Sequence, residues 1–293
     1  MAPLPQDVSE TPMSFLGRIA ACNRGERSRY RPFRIAGRQV GHVAPDIAER
    51  LAGFPDVFVV SADAVAVADA LATPLARTRA VARVLADLYA QGLFAGWRDE
   101  AYPVAAAFAD PPLMTMERAA VPLFGVRAYG IHINGIVRGK TDARMWIARR
   151  SLSKPTGPGQ WDQVVAGGQP AGLSLADNLI KECAEEAAIS AAIARRAVPV
   201  GAISYLGERP DGLRNDVLFV YDLELPAEFT PVNTDGEVED FHLWDMERLI
   251  ATVRDTDSFK FNCALVVIDF LIRHGLISPD HPDYVDILKG LHR

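Results

Sequence analysis

The sequence predicts an α/β protein made of two units. Three observations lead there. Stretches rich in β-branched and aromatic residues alternate with stretches whose apolar residues recur at helical spacing. The character of the pattern changes near residue 118, where "DPPLMTMERAAVPLFG" reads as a connection. Of the 293 residues, 49% are apolar and 23% charged, the balance of a globular protein with material for a sizeable core. The expected division is a smaller N-terminal α/β accessory unit over 1–118, a main unit over 119–278 and a C-terminal tail over 279–293.

In the first unit, "RPFRIAGRQVGHV" has strand-like stretches broken by Gly37 and Gly41, and "APDIAERLAGF" reads as a short helix ending near Gly53. "DVFVVSA" reads as a strand. "PLARTRAVARVLADLYAQG" is the clearest helix, with Val81, Leu85, Leu88 and Tyr89 at helical spacing and Gly92 as a stop. Nothing in this unit assembles into recognisable chemistry, and packing or substrate covering is the expected role. In the second unit, "VRAYGIHINGIVRG" and "ARMWIARR" read as paired strands and "SLSKPTGPGQ" as a loop. "WDQVVAGG" is a short strand entering a glycine turn, followed by the helix "SLADNLIKECAEEA". A strand pair follows, "PVGAISYLGE" and "NDVLFVYDLEL", then an acidic loop, "VNTDGEVEDF". "DSFKFNCALVVIDFLIRHG" closes as a buried helix, capped by Asp257 or Ser258 and ended by Gly275.

The net charge of −6 argues against general binding to nucleic acid or anionic membrane, so an anionic substrate would have to be met by a local cluster of Lys or Arg. Cys22, Cys183 and Cys263 are odd in number and far apart, which suits a reducing compartment and gives neither a disulfide framework nor zinc spacing. The start, "MAPLPQDVSE", lacks a basic end followed by an apolar run. The most apolar late segment, "CALVVIDFLI", is half the roughly 20 residues a membrane span needs. A cytoplasmic protein is the expectation.

The helix that follows the glycine pair carries the chemistry. Ser174 is its expected N-cap, with Asp177 three residues on in a capping-box arrangement. On a helical wheel Leu175, Leu179, Ile180, Cys183 and Ala187 make the apolar side, and Glu182, Glu185 and Glu186 fall together beside it. Like charges about 6 Å apart repel by only ~0.7 kcal/mol in bulk water but by nearly ~3 at an effective dielectric of about 20. On an open surface the cluster is an ordinary solvated face; in a cleft it needs a cation. In front of it stands "VVAGGQPAG". Gly167 and Gly168 let the chain approach a ligand closely, and a carbonyl there can join a Mg²⁺ shell that wants about six hard oxygens.

These residues resemble the signature of Nudix hydrolases: a glycine, five residues, Glu, seven residues, then Arg-Glu-apolar-x-Glu-Glu-x-Gly-apolar. The glycine is Gly167, the Arg-Glu pair is Lys181-Glu182, the apolar position is Cys183, the Glu pair is Glu185-Glu186 and the last apolar position is Ile189. Three positions depart: Leu173 stands where the family usually has Glu, Lys181 replaces Arg, and Ala188 replaces the glycine that ends the helix.

The resemblance implies a Nudix-type α/β/α sandwich with a mixed sheet and metal-dependent hydrolysis of a diphosphate linkage by water attack at phosphorus. It implies Mg²⁺, with Mn²⁺ as an option, held by Glu182 and Glu186, by the carbonyl of Ala166 or Gly167, and by Glu185 as a further ligand or base. Glu237 and Glu239 are candidates for a base from a later loop, Glu237 slightly favoured. Arg149, Arg150 and Lys154 are the candidate phosphate cations, and only one of the two neighbouring arginines can face the site from a strand; Arg127 and Arg214 are weaker options. Trp161, beside the loop, is the aromatic favoured for the organic part of the substrate, ahead of Tyr129, Phe124 and Trp146.

The long run with an extra N-terminal unit is similar to the Nudix domain joined to thiamin pyrophosphokinase in some fungi and its stand-alone relatives, which are associated with thiamin diphosphate and damaged forms of it. The alternatives are an ADP-ribose or dinucleotide pyrophosphatase and a non-catalytic ligand sensor. An isopentenyl diphosphate isomerase is a poorer fit, because Cys183 lies on the expected buried face. The expected partner is a small-molecule diphosphate, neither nucleic acid nor membrane, with a homodimer left open.

Overall fold

A computed structural model describes residues 14–140 and 142–293; the start of the chain read above for a targeting signal lies outside the described residues. The elements are α1 (Phe15–Cys22), β1 (Arg31–Ile35), β2 (Arg38–Val43), α2 (Pro45–Leu51), β3 (Phe58–Val60), β4 (Val65–Val67), α3 (Pro74–Ala90), β5 (Ala101–Val104) and β6 (Met114–Glu117). After them come β7 (Arg127–Arg138), β8 (Ala143–Arg150), β9 (Trp161–Gln163), β10 (Val165–Gly168), α4 (Leu175–Ala187) and α5 (Ala191–Ala194). The chain ends with β11 (Val198–Arg209), β12 (Gly212–Glu224), β13 (Val238–Asp245), α6 (Met246–Asp255), α7 (Phe261–Arg273) and α8 (Tyr284–Gly290).

The first unit is a four-stranded sheet in the order β2-β1-β4-β3, with the hairpin β5-β6 beside it. Helix α3 begins at Thr73, whose hydroxyl accepts from the Ala76 amide, and Pro74 occupies the first helical turn where its missing N–H costs nothing. Its Val81, Val84, Leu85 and Leu88 are buried against the sheet. The segment expected as a connection is folded: β6 pairs with β5, and a 3-10 turn over Arg118–Phe124 drives Val121, Leu123 and Phe124 into the core of the first unit.

The second unit is a mixed seven-stranded sheet. Its path runs β11-β12-β7-β8-β13, with β10 added to β7 and β9 to β8. The β12–β7 pair is parallel and the other pairs are antiparallel. Strand β7 is buried from Gly130 to Val137 without alternation, as a central strand covered on both faces must be. Helix α4 covers one face, where Leu179, Cys183 and Ala187 pack on Ile131, Ile133 and Val165. Helix α7 covers the other and is buried on all sides from Asn262 to Ile268. The result is the expected α/β/α sandwich.

Three expectations about chain ends differ from the structure. The α7 cap is Lys260, not Asp257 or Ser258, because residues 258–260 are tied to β9 through Trp161 N to Ser258 O and Lys260 N to Trp161 O. Helix α1, placed by sequence in the first unit, lies in the second: Phe15, Ile19 and Cys22 join the core around α7. Residues 279–293, expected as a tail, include α8, whose Ile287 is buried with Leu291 in that same core. A single amphipathic turn shows which side is apolar but not which sheet will cover it.

Candidate active site

The site forms where α4 faces β10. Ser174 caps α4, accepting from the Asp177 amide at 3.1 Å and donating to the Asp177 carboxylate at 2.6 Å. The loop before it is braced by two buried side chains. Asn178 donates to the Gly168 carbonyl at 2.8 Å and to Gln169 Oε1 at 3.1 Å, and Gln169 donates to the Leu173 carbonyl at 2.8 Å. This amide pair holds the loop that carries Leu173 at the variant position.

At the two loop positions glycine leaves room for side chains that any Cβ would push aside. A Cβ on Gly167 would meet the Glu182 carboxyl carbon, and one on Gly168 would meet the Tyr102 hydroxyl. The first contact presses a metal-ligand candidate onto β10; the second brings a side chain of the first unit to the same loop.

The three glutamates divide. Glu182 and Glu186 are buried, and Glu186 accepts from the Ala166 amide at 2.8 Å. Glu185 is about half exposed and paired with Lys181 at 2.6 Å, while the same ammonium reaches Glu182 at 3.2 Å. Burial raises the Glu186 pKa well above the ordinary carboxylate value, with the Ala166 amide opposing. Burial also raises Glu182, opposed by Lys181. Two adjacent carboxylates sunk in low dielectric are unfavourable as anions, and a divalent cation offsets that cost. The donor set therefore fits the Mg²⁺ or Mn²⁺ that the signature implies: hard oxygens from Glu182 and Glu186 beside a strand with carbonyls to add.

Among the described residues a second donor set exists. His132, Asp162 and Cys263 bring ligand atoms within 4.8 Å of one another, all buried. It is the poorer metal site. The Arg150 guanidinium donates to Asp162 at 2.7 Å, Lys260 stands 3.8 Å away, and the Cys263 thiol donates to Asp162 at 2.6 Å. Burial pushes Asp162 up, but the Lys260 and Arg150 cations override it and hold the carboxyl at about 2. Burial lowers His132 to about 4, keeping it neutral, and its Nδ1 is bound to Gln163 Oε1 at 2.7 Å. A cation there would have to displace two existing ones.

The cleft in front of Glu182 and Glu186 has a volume of about 650 Å³ and is lined by both units. Sequence reasoning missed much of its wall. Arg118, at the start of the 3-10 turn, faces the cleft, donates to Glu100 at 2.7 Å and sits 5.5 Å over the Tyr102 ring. Its charge acts on both Glu182 and Glu237. The segment carries no motif, so only the packing of one unit on the other could reveal it. Asp216, Asn262 and Lys260 also line the cleft.

The structure redirects several expected substrate residues. Arg150 spends its guanidinium on Asp162 and on the carbonyls of Thr156 and Gly157, so it anchors the 151–160 loop. Arg149 faces the other way, 5.6 Å over the Trp161 ring. Trp161 is not among the residues lining the cleft; it stands edge-on to Trp244 and His242. Lys154 does line the cleft, ion-paired with Glu237. Burial pushes the Glu237 pKa up, but Lys154 overrides it and the net value lies below the usual range, so Glu237 stays ionised. Phe124 and Trp146 are core residues, while Tyr129 borders the cleft.

A strand, a glycine pair and a glutamate helix arranged this way on a mixed-sheet sandwich define a Nudix-type hydrolase domain. A family model described as "NUDIX domain" matches residues 129–263, and one described as "Domain of unknown function (DUF4743)" matches residues 14–128. The chain is 44% identical over 292 residues to "Nudix hydrolase 24, chloroplastic" of Arabidopsis thaliana, covering 98% of this chain and 80% of that one. It is 44% identical over 288 residues to "Nudix hydrolase 20, chloroplastic" of the same plant, covering 94% and 77%. It is 36% identical over 213 residues to "Uncharacterized protein YJR142W" of Saccharomyces cerevisiae, covering 68% and 61%. The chain belongs to the Nudix hydrolase family and is a diphosphate hydrolase, acting on acid anhydrides of phosphorus. The expectation of a cytoplasmic protein is corrected here: both Arabidopsis relatives carry names that place them in the chloroplast. Among the described residues, no helix is long and apolar enough to cross a membrane.

Proposed function

We propose that the chain hydrolyses the diphosphate linkage of a small organic diphosphate, thiamin diphosphate or a damaged analogue of it. The observation that carries this reading is the pairing of two buried glutamates with a glycine strand inside a cleft that also receives Arg118 and Lys154. Glu182 and Glu186 would hold the divalent cation, with a carbonyl of Ala166 or Gly167. When bound, the cation supplies neutralisation of the anhydride charge and a lowered pKa for the attacking water.

The rest is the work of the chain. Arg118 and Lys154 draw the phosphates into an otherwise acidic protein. Glu185 and Glu237 face the cleft, and either is a candidate to accept a proton from the nucleophile. The first unit closes one side and limits the organic group to one that fits about 650 Å³. The similarity to the Nudix domain of thiamin pyrophosphokinase fusions supports the choice of thiamin diphosphate within that class.

The experiment is phosphate release from thiamin diphosphate, its oxidised analogues and ADP-ribose, assayed side by side with Mg²⁺. The expected result is the highest kcat/KM on a member of the thiamin group. A higher value on ADP-ribose overturns the substrate assignment.

A further inference from the structure

At the end of the cleft away from the glutamate helix, three polar side chains form an ordered chain. Asn262 Nδ2 donates to the Tyr205 hydroxyl at 3.3 Å, and Tyr205 donates to Asp216 Oδ2 at 2.5 Å. The direction is fixed, because the amide N–H can only donate and so leaves the phenol proton for the carboxylate. Asp216 is 9% exposed and borders the cleft. Among the described residues no donor reaches its other oxygen. Two nearby cations act on it by charge without a hydrogen bond, Arg214 the more strongly, while Arg214 is also ion-paired with Asp211 and Lys260 stands beside Asp162. Its carboxylate borders the cleft, where a ligand N–H can supply that bond.

The sheet gives the distance to the reacting end. Asp216 pairs with Ala128 across β12–β7, and Gly168 pairs with Gly130 across β10–β7. Two strand spacings sideways and two residues along place Asp216 about 12 Å from Gly168. That is the length from a diphosphate to the far ring edge of a small heterocyclic diphosphate. Leu218, two residues along β12 on the same face and paired with Gly130, lines the cleft between them as apolar wall.

We infer that Asp216, held by Tyr205 and Asn262, is the specificity determinant of the cleft and accepts a hydrogen bond from an N–H donor on a nitrogen heterocycle, an exocyclic amine or a ring N–H, at the far end of the substrate. This rests on the reading of the cleft as the site of a small organic diphosphate. It makes a donor-bearing ring a requirement of good substrates and leaves the chemistry at phosphorus to the other end.

The test compares wild type with Asp216→Asn and Tyr205→Phe on thiamin diphosphate and on benzyl diphosphate, whose ring has no donor. The expected result is an approximately 10- to 100-fold fall in the ratio of kcat/KM for thiamin diphosphate over benzyl diphosphate in Asp216→Asn, carried by KM. Tyr205→Phe, which keeps the ring in the core and unties the carboxylate, moves the ratio the same way by less and stands in if Asp216→Asn does not fold. An unchanged ratio in the folded variants, with both substrates lost equally or neither affected, overturns the inference. If wild type cleaves ADP-ribose and not thiamin diphosphate, the substrate reading falls, and the same comparison of ADP-ribose with benzyl diphosphate still decides the role of Asp216.

Discussion

Glu186 is the residue on which the chemistry concentrates. Spacing places it with Glu182 beside the apolar face of α4, behind Gly167, because helix periodicity and a strand–turn context fix where those side chains go; the role of metal ligand comes only from the resemblance to the Nudix signature. Legibility stopped where one-dimensional spacing stops. The strand rule said that Arg149 and Arg150 face opposite ways, but not that Arg150 would be claimed by Asp162 at 2.7 Å. A prediction follows from burial. Glu182 and Glu186 have raised pKa values in the folded chain, so their protonated forms stabilise it. That contribution is complete below the ordinary carboxylate pKa and is lost as pH rises through the raised folded value. In EDTA the melting temperature should therefore fall as pH rises from the ordinary carboxylate range through the raised folded values, and saturating Mg²⁺ should raise it more at the upper end. Glu186→Gln should flatten the EDTA dependence and cut turnover by about 100-fold or more. Differential scanning fluorimetry across pH, with a phosphate-release assay, checks both.

Helix α4 shows how an element can keep a signature's spacing while altering its ends. Ala188 closes it with φ of +52°, the left-handed conformation for which the family uses glycine. A methyl group at that geometry costs roughly 1–2 kcal/mol. Ala188→Gly should stabilise the protein by about 0.5–1 kcal/mol, since relief of strain exceeds the extra entropy of an unfolded glycine. A urea denaturation midpoint reads the change; a lower midpoint would show that Ala188 is not strained. The N-terminus of α4 was readable from Ser174 and Asp177 because capping is local chemistry. The Asn178–Gln169 brace was not, since amide side chains carry no periodic signal and find their partners only when the loop folds. The same holds for α7, whose apolar run was evident and whose start was set by the 258–260 tie to β9.

At the scale of the whole molecule, the two units share one cleft, and neither is legible as half of it. The sequence separates them near residue 118, yet Arg118 lines the same cleft as Glu182 from that boundary, and Tyr102 of the first unit abuts Gly168 of the second. Helix α1 crosses the other way to pack with α7 and α8. Long-range assembly of this kind depends on which apolar faces remain uncovered, a property of the folded sheets rather than of any segment. If the first unit helps bind the diphosphate, Arg118→Gln should raise KM about tenfold and lower kcat by less than about threefold; steady-state kinetics on the best substrate decides this, and an unaltered KM would return Arg118 to a purely structural pairing with Glu100. The central claim is that the cation sits between α4 and β10. Crystals soaked in Mn²⁺ and measured for anomalous scattering test it directly. The expected result is a peak bounded by the carboxylates of Glu182 and Glu186 and the Ala166–Gly167 backbone; a peak at His132, Asp162 and Cys263 instead, or none beside α4, would place the cation elsewhere and remove the proposed site.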